Sequence, residues 1–557
     1  MDIFLIICAV AAVVIVVSAV IVSSRRADRR LRQKLEESFG KAPEQLTAES
    51  DSSSYWLWLL ARKTQLDFVD QQTWDDLEMG SVFSRIDSCR SSLGDEWLYQ
   101  RLHALNATSA DTSVLENMIA WLDEHPAQRL ELQFLLDKTG KAPNNGLSTL
   151  ADSQNPIAPS FQYLCRALAF VPMIMAFVFV FHQWLGLVGL LVSLLVNGII
   201  HYRAELKTAR DHSAMRYLTT VLWGTKRMLS LFQGSDAGRE VAQNPLVVDL
   251  AESYPVFVRV GGAISGAVQR SIWYSELAVF KEFYEIASLA RIRNYNRAMR
   301  AVKHDVDKLH QLCRGFGAID AAVSILSFRK SLPYYSLPTR DEDCWFQAAG
   351  LYHPLLNAAV PNDIDLKRAS LITGSNASGK STFIKAVGIN AILAQTINTC
   401  TAQSLSMSPR LVVSAMAAHD SVLSGESYFI AETRALKRLV DAAAARPSLC
   451  LVDEILRGTN TIERVAASAA ILHSLAETNS LVLAATHDLE LVGLLGASFD
   501  PYHFEETIGI DDIDFDYQLR AGSARSRTAI KLLELLGFDP AIVSESRQIA
   551  ENLSETD

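Results

Sequence analysis

The stretch that most restricts how this chain can fold is Thr373-Gly374-Ser375-Asn376-Ala377-Ser378-Gly379-Lys380-Ser381-Thr382, approached through the apolar run Ala369-Ser370-Leu371-Ile372. Apolar run, glycine-rich turn and a helical stretch over about residues 383–395 make a strand–turn–helix unit. Four residues separate Gly374 from Gly379, and Lys380-Ser381 follow at once, the spacing of a phosphate-binding loop. Backbone N–H groups of such a turn, aimed by a helix N-terminus, can surround a di- or triphosphate. Lys380 is expected to neutralise the β- and γ-phosphates of ATP, and the Ser381 hydroxyl to take one position on Mg²⁺. A flexible Gly/Ser connector would need neither this order nor these flanks. From about residue 345 short apolar runs alternate with helical stretches, so the loop should lie in a parallel α/β domain.

Two further strands are expected to end at the same place. Leu449-Cys450-Leu451-Val452-Asp453-Glu454 is an apolar run closing on two acids, about seventy residues beyond the loop. In such a fold Asp453 would hold Mg²⁺ and Glu454 would orient or deprotonate the attacking water. Leu481-Val482-Leu483-Ala484-Ala485-Thr486 is a second buried run, with His487 just past its end, where a polar group can sense the γ-phosphate. Glu426 and Ser427 stand where a polar loop meets a helix over 433–444, a place where they could serve merely as caps.

Composition places this domain in a larger setting. At 557 residues the chain has room for about three domains. Its hydrophobic fraction of 49% and mean hydropathy of +0.13 are high for a soluble protein and point to membrane segments. Residues 3–22 are apolar and uncharged, enough for one helical span, and Arg25, Arg26, Arg29, Arg30, Arg32 and Lys34 follow. A signal peptide would carry its positive charge before the apolar core, so a retained anchor with the N-terminus outside is expected. A second block, 168–200, is interrupted at His182-Gln183-Trp184 and flanked by Arg166, Arg203, Lys207 and Arg210. It reads as two short helices, 168–181 and 185–200, forming a membrane hairpin, with a buried hairpin in a soluble domain as the rival. The expected location is the inner (cytoplasmic) membrane, multi-pass, with the ATP-binding domain in the cytoplasm. A net charge of −10 gives no global attraction to nucleic acid. Seven scattered cysteines with no C-x-x-C pair argue for a reducing compartment and against a zinc site.

The expected architecture is a multidomain α plus α/β chain. Residues 1–24 form the anchor, 25–64 a cytoplasmic linker, 65–160 a helical region, 161–202 the hairpin, 203–340 a second helical region and 341–557 the nucleotide-binding domain. A long helical stretch is read over about 272–328. Within it Met299, Val302, Val306, Leu309, Leu312, Phe316, Ile319, Val323 and Leu326 recur at three- and four-residue steps, a core-packing stripe.

Together these stretches resemble the MutS family of DNA mismatch repair ATPases, a branch of the ABC-type ATPases. Asp453-Glu454-Ile455-Leu456-Arg457-Gly458-Thr459-Asn460-Thr461 follows the family's D-E-[IL]-G-R-G-T-[SA]-T, with Leu456 in place of glycine. His353-Pro354 and Val360-Pro361-Asn362-Asp363 match the opening of its ATPase domain, and Gly425-x-Ser427-x-Phe429-x-x-Glu432 matches its G-x-S-T-F-x-x-E segment. Phe515-Asp516-Tyr517-Gln518-Leu519-Arg520-Ala521-Gly522 resembles the strand and turn before the closing helices. The run from Phe83 to Leu102 looks like the start of the family's core domain, and the run from Leu309 to Leu326 like the end of its lever. The resemblance implies a homodimer with two composite ATP sites. Lys380, Ser381, Asp453, Glu454 and His487 would act from one subunit, and Ser427 would approach the γ-phosphate held by the other.

The chain also departs from the pattern. Only about sixty residues precede the core-like region, and they are spent on anchor and linker, so no mismatch-reading domain is expected; an apolar hairpin occupies the middle of the chain, so no clamp is expected either. Ala359 and Asp488 stand where relatives often carry aromatics near the adenine. DNA is therefore one candidate partner, with Arg291, Arg293, Arg297, Arg300 and Lys303 as candidate backbone contacts. The other reading is a nucleotide-gated membrane switch acting on an unknown membrane partner. A transporter is disfavoured, because the apolar segments carry almost no ionisable residues.

Overall fold

A computed structural model describes residues 2–43, 53, 67–105, 108–142, 146–147, 150, 159–234, 236–268, 283–342, 345–375, 378–416, 428–456, 459–508, 513–523, 530, 533–534 and 537–554. The chain divides into two compact units. Met1–Thr64, Ile86–Gln100 and Ser113–Ser331 make the first; Gln65–Arg85, Arg101–Thr112 and Leu332–Asp557 make the second. The segment expected as one helical region, 65–160, thus contributes to both.

The second unit is mixed α/β and carries all ten described strands. They are β1 (Thr339–Arg340), β2 (Phe346–Leu351), β3 (Asn362–Leu366), β4 (Ser370–Thr373), β5 (Ser404–Met407), β6 (Leu411–Ala415), β7 (Ser448–Asp453), β8 (Leu481–Thr486), β9 (Asp500–Ile508) and β10 (Ile513–Ala521). A four-stranded sheet has the order β1-β5-β2-β3, and a six-stranded sheet the order β10-β9-β4-β8-β7-β6. In the larger sheet β9, β4, β8, β7 and β6 run parallel, and β10 closes one edge antiparallel to β9. Every residue of β4, β7 and β8 is buried, as expected of parallel strands covered on both faces. Alternation along each strand divides the faces. Cys450, Val452, Val482 and Ala484 join Leu436 and Leu439 of the helix Tyr428–Ala445 and Leu472 and Leu475 of the helix Thr461–Ala476 in one apolar cluster. The helix Lys380–Thr396 also packs against β7 and β8.

Side-chain bonds explain why 65–85 belongs to this unit. Asp76 Oδ2 accepts from Ser414 Oγ (2.6 Å) and from the Met416 amide (3.1 Å), at the end of β6. Arg438 pairs with Asp70 and donates to the Ser414 carbonyl. Burial raises the pKa of Asp76, against the effect of those bonds.

The regular secondary structure described in the first unit is all helical. The helix Val306–Ser331 is its centre and buries Leu309, Leu312, Phe316, Ile319, Val323 and Leu326, the stripe read from the sequence. Asp320 on this helix accepts from the amides of Arg90 and Ser91 and from Ser91 Oγ. The helix is separated from Ala290–His304 by Asp305, and residues 272–282 of the expected long stretch lie outside the described residues.

The apolar block forms two helices, Pro159–Phe181 and Gln183–Gly234. The second does not stop near residue 200 but runs on as one helix of 52 residues. Residues 201–210, His-Tyr-Arg-Ala-Glu-Leu-Lys-Thr-Ala-Arg, are mostly good helix formers, so the helix continues where the apolarity ends. Two described helical segments, Tyr163–Phe181 and Gln183–Ala209, are long and apolar enough to cross a membrane. Phe170, Met173, Phe177, Trp184, Leu185, Val188, Leu191 and Leu195 are exposed along them. The N-terminal helix is continuous over Asp2–Ser38.

Candidate active site

The C-terminal ends of three strands meet in register. Thr373 at the end of β4 pairs with Thr486 at the end of β8, and Asp453 at the end of β7 pairs with Ala485. The chain passes from β8 across β4 to β9, so β4 lies where the strand order reverses, the position at which open α/β sheets take their ligands.

The turn after β4 is built around two glycines. Gly374 has φ +143°, and a Cβ there would lie 2.8 Å from the Phe504 carbonyl oxygen and 2.9 Å from Ser378 Oγ. Gly379, at φ +99°, stands at the N-cap of the helix Lys380–Thr396, and its Cβ would lie 3.0 Å from the Tyr517 ring. Any side chain at either position would fill the cradle or strain its backbone. Ser378 closes the turn by donating from Oγ to the Ser375 carbonyl (2.8 Å). Lys380 is buried, and its Nζ donates to the carbonyls of Gly374 (2.7 Å) and Ser375 (2.6 Å), which holds the ammonium across the mouth of the turn. Ser381 is half-buried and Thr382 exposed in the first helical turn. Ser375 Oγ donates to Glu506 Oε2 (3.2 Å).

Asp453 and Glu454 are both buried. Glu454 takes φ +49°, a left-handed conformation that costs a non-glycine residue about 1–3 kcal/mol and is concentrated at functional sites. Its amide donates to the Ala485 carbonyl (3.0 Å), and its Oε1 lies 3.4 Å from His487 Nδ1. The strand ends therefore bring Glu454 and His487 together, as the sequence suggests. Leu456 is also left-handed, at φ +57°, at the position where the resemblance would put glycine.

Asp488 has a role that the sequence reading missed. It is buried and accepts from Arg464 Nε (2.9 Å) and Nη2 (2.7 Å), an ion pair that raises the arginine's pKa and fixes the turn carrying His487. A local signal for it was weak, because Arg464 stands a helix and a strand earlier. His353 is buried, and desolvation lowers its pKa to about 4, so it is neutral near pH 7. Its Nδ1 accepts from the Leu355 amide (3.3 Å), which makes it a turn-forming residue.

Other expectations divide. Asn376 and Ala377 of the turn, Ser427, and Arg457-Gly458 lie outside the described residues. Arg291 is not an open backbone contact: it is largely buried and bonded to Glu205 (3.2 Å) and Glu285 (2.8 Å). Arg297 and Arg300 on the same helix are exposed. The described cysteines, Cys89, Cys165, Cys313, Cys400 and Cys450, are free and buried.

A largely parallel sheet, with a glycine turn and a helix N-terminus after its strand β4, makes the second unit a mixed α/β domain. Residues 370–554 match the family model described as MutS domain V. A DNA mismatch repair protein MutS of Natronomonas pharaonis is 28% identical over 276 residues, which are 46% of this chain and 32% of that protein. DNA mismatch repair protein msh3 of Aspergillus niger is 30% identical over 261 residues, 43% of this chain and 23% of the relative. DNA mismatch repair protein MutS 2 of Halobacterium salinarum is 28% identical over 263 residues, 45% of this chain and 30% of the relative. The chain thus spans about a third or less of the length of these curated relatives. The similarity to MutS proteins thus lies in this C-terminal region.

Proposed function

We propose that the second unit binds and hydrolyses ATP with Mg²⁺ and that the chain works as a membrane-anchored, dimeric MutS-like switch. The observation that carries this reading is the convergence of Lys380, Asp453, Glu454 and His487 at the ends of β4, β7 and β8. The glycine cradle, with no room for a Cβ, and the ammonium held across it fit a phosphate chain. Lys380 would exchange its two carbonyl partners for phosphate oxygens, a charge-assisted contact stronger than those it leaves. Ser381 and Asp453 supply the oxygen donors suited to Mg²⁺, which when bound offsets charge on the phosphates. Glu454 would hold the attacking water and accept its proton, with His487 steering the carboxylate from 3.4 Å. Ser427 of a second copy would complete the site, making nucleotide state a control on dimer geometry.

The relatives' names make DNA the first partner to test, through the mismatch-repair connection. The exposed apolar helices Tyr163–Phe181 and Gln183–Ala209 favour a second reading, in which the output is the bilayer or a membrane partner and DNA has no role. Binding of the detergent-purified protein to duplex, branched and mismatched DNA over a salt series separates the two. A steep loss of binding with salt supports DNA as partner, and no binding at low salt removes it. Mixed dimers of Glu454→Gln and Ser427→Ala test the composite site: hydrolysis unaffected by both changes would rule it out.

A further inference from the structure

The N-terminal helix leaves its apolar run with a cluster of cations that the fold divides between two faces. Residues 25–35 hold Arg25, Arg26, Arg29, Arg30, Arg32 and Lys34 against one acid, Asp28. One face is fastened to the helix Pro126–Thr139. Lys138 Nζ lies 2.8 Å from Asp28 Oδ1, and Arg32 donates to both carboxylate oxygens of Glu131 (3.0 and 3.1 Å). The Arg32 guanidinium also lies over the Phe134 ring, 3.8 Å from its centroid, and Leu35 is buried. Asp28, Arg32 and Leu35 follow at the four- and three-residue steps of one helical stripe. Arg25, Arg26, Arg29 and Arg30 lie about 120° around the helix from that stripe, and all four are exposed. The one acid of the stretch is taken up by Lys138, so no acid within it offsets these four guanidinium groups.

Their height is set as well as their face. Asp2–Ser38 is one continuous helix, and its apolar run ends at Val22. At 1.5 Å per residue Arg25 stands about 4.5 Å beyond that end and Arg30 about 12 Å. The headgroup layer of a leaflet is about 5–7 Å thick, and at physiological salt its potential decays over about 8 Å. All four arginines therefore fall inside the field of a bilayer crossed by residues 3–22. The hairpin repeats the pattern, since Arg203 and Lys207, both exposed, follow its apolar stretch within about two turns. DNA, itself polyanionic, would have to enter the same layer against the repulsion of the headgroups.

We propose that Arg25, Arg26, Arg29 and Arg30 form a binding surface for anionic phospholipid headgroups, a role that rests on the membrane-anchored reading above. Arginine suits this task because its planar fork bonds phosphate oxygens in pairs. The anchor then selects its lipid neighbours as well as holding the chain.

Full-length protein in phosphatidylcholine nanodiscs, with a trace of spin-labelled phosphatidylglycerol or spin-labelled phosphatidylcholine, tests this. The motionally restricted fraction of each label reads its association with the protein. Wild type should prefer the phosphatidylglycerol label about fivefold at about 0.05 M salt and approach equality at about 1 M. Arg25→Gln, Arg26→Gln, Arg29→Gln and Arg30→Gln together remove the charge with a good helix former and should abolish the preference. The four lysine replacements should keep most of it. Arg26→Gln with Arg30→Gln serves if the fourfold variant does not insert, and should reduce the preference to about twofold. Equal restriction of both labels in wild type, or a preference that the glutamine variants retain in full, overturns the proposal. DNA binding lost in the fourfold variant, with no lipid preference in wild type, would assign the cations to nucleic acid instead. Restriction of neither label, by a protein soluble without detergent, would defeat the membrane-anchored reading itself.

Discussion

The two units use their surfaces in opposite ways. The second gathers polar groups beyond the C-terminal ends of its strands, with Lys380, Asp453 and Glu454 all buried there. The first turns apolar side chains outward along two helices and keeps its polar groups inside, with Asp320, Asn197 and Ser324 all nearly inaccessible. Asn197 Nδ2 bonds to the Leu168 and Ala287 carbonyls (3.3 and 2.8 Å), fastening the hairpin from within. One unit buries charged groups at its strand ends, the other exposes apolar side chains along two helices. Short sequence spacings encode the former, whereas bulk hydropathy and long-range packing encode the latter.

The sharpest attempt to break this contrast is Glu454→Gln. Losing the proposed general base should cut hydrolysis by about 10²–10⁴-fold while nucleotide binding persists, read as steady-state turnover beside equilibrium binding. Hydrolysis that survives would leave the second unit a binding module. On the other side stands Leu191→Arg, a charge on an exposed apolar face. Insertion should lose about 2.5–3.5 kcal/mol for a central position, seen as a shift from the membrane to the soluble or aggregated fraction. An unchanged partition would mean that protein, not lipid, covers this face.

A smaller effect concerns the interior of the first unit. Burial raises the Asp320 carboxyl to about 6 despite its hydrogen bonds. An acid held above its unfolded pKa contributes stability that is fully present below about pH 4 and is lost as pH rises through about 6. The difference is about 2–3 kcal/mol, and Asp320→Asn should flatten that part of the unfolding-midpoint profile. The smallest is Asn460→Ala. Asn460 Oδ1 accepts from the Glu463 amide (3.0 Å) at the N-cap of the helix Thr461–Ala476, so its loss should cost about 1 kcal/mol in thermal unfolding.

Legibility in the sequence followed the same division. Asp453, Glu454 and His487 could be singled out because each stands at or just past the end of a short buried run, and Lys380 because of the glycine spacing before it. Asp488 could not, since its meaning depends on Arg464. Arg291 looked like a surface cation because nothing local shows Glu205 and Glu285 closing on it. The hairpin was legible as apolarity but not as length: the reading stopped near residue 200, where hydropathy falls, and the helix did not. The assignment of 65–85 to the second unit rests on Asp76 meeting Ser414, a pairing no periodicity announces.

That long helix has a mechanical consequence. Its 52 residues, Gln183–Gly234, contain no proline, and at 1.5 Å per residue they span about 78 Å. A strut of that length converts angle into distance: a tilt of about five degrees at one end sweeps the other through about 7 Å. Any torque applied near Gly234 would thus be felt at the apolar end as a displacement larger than a helical turn.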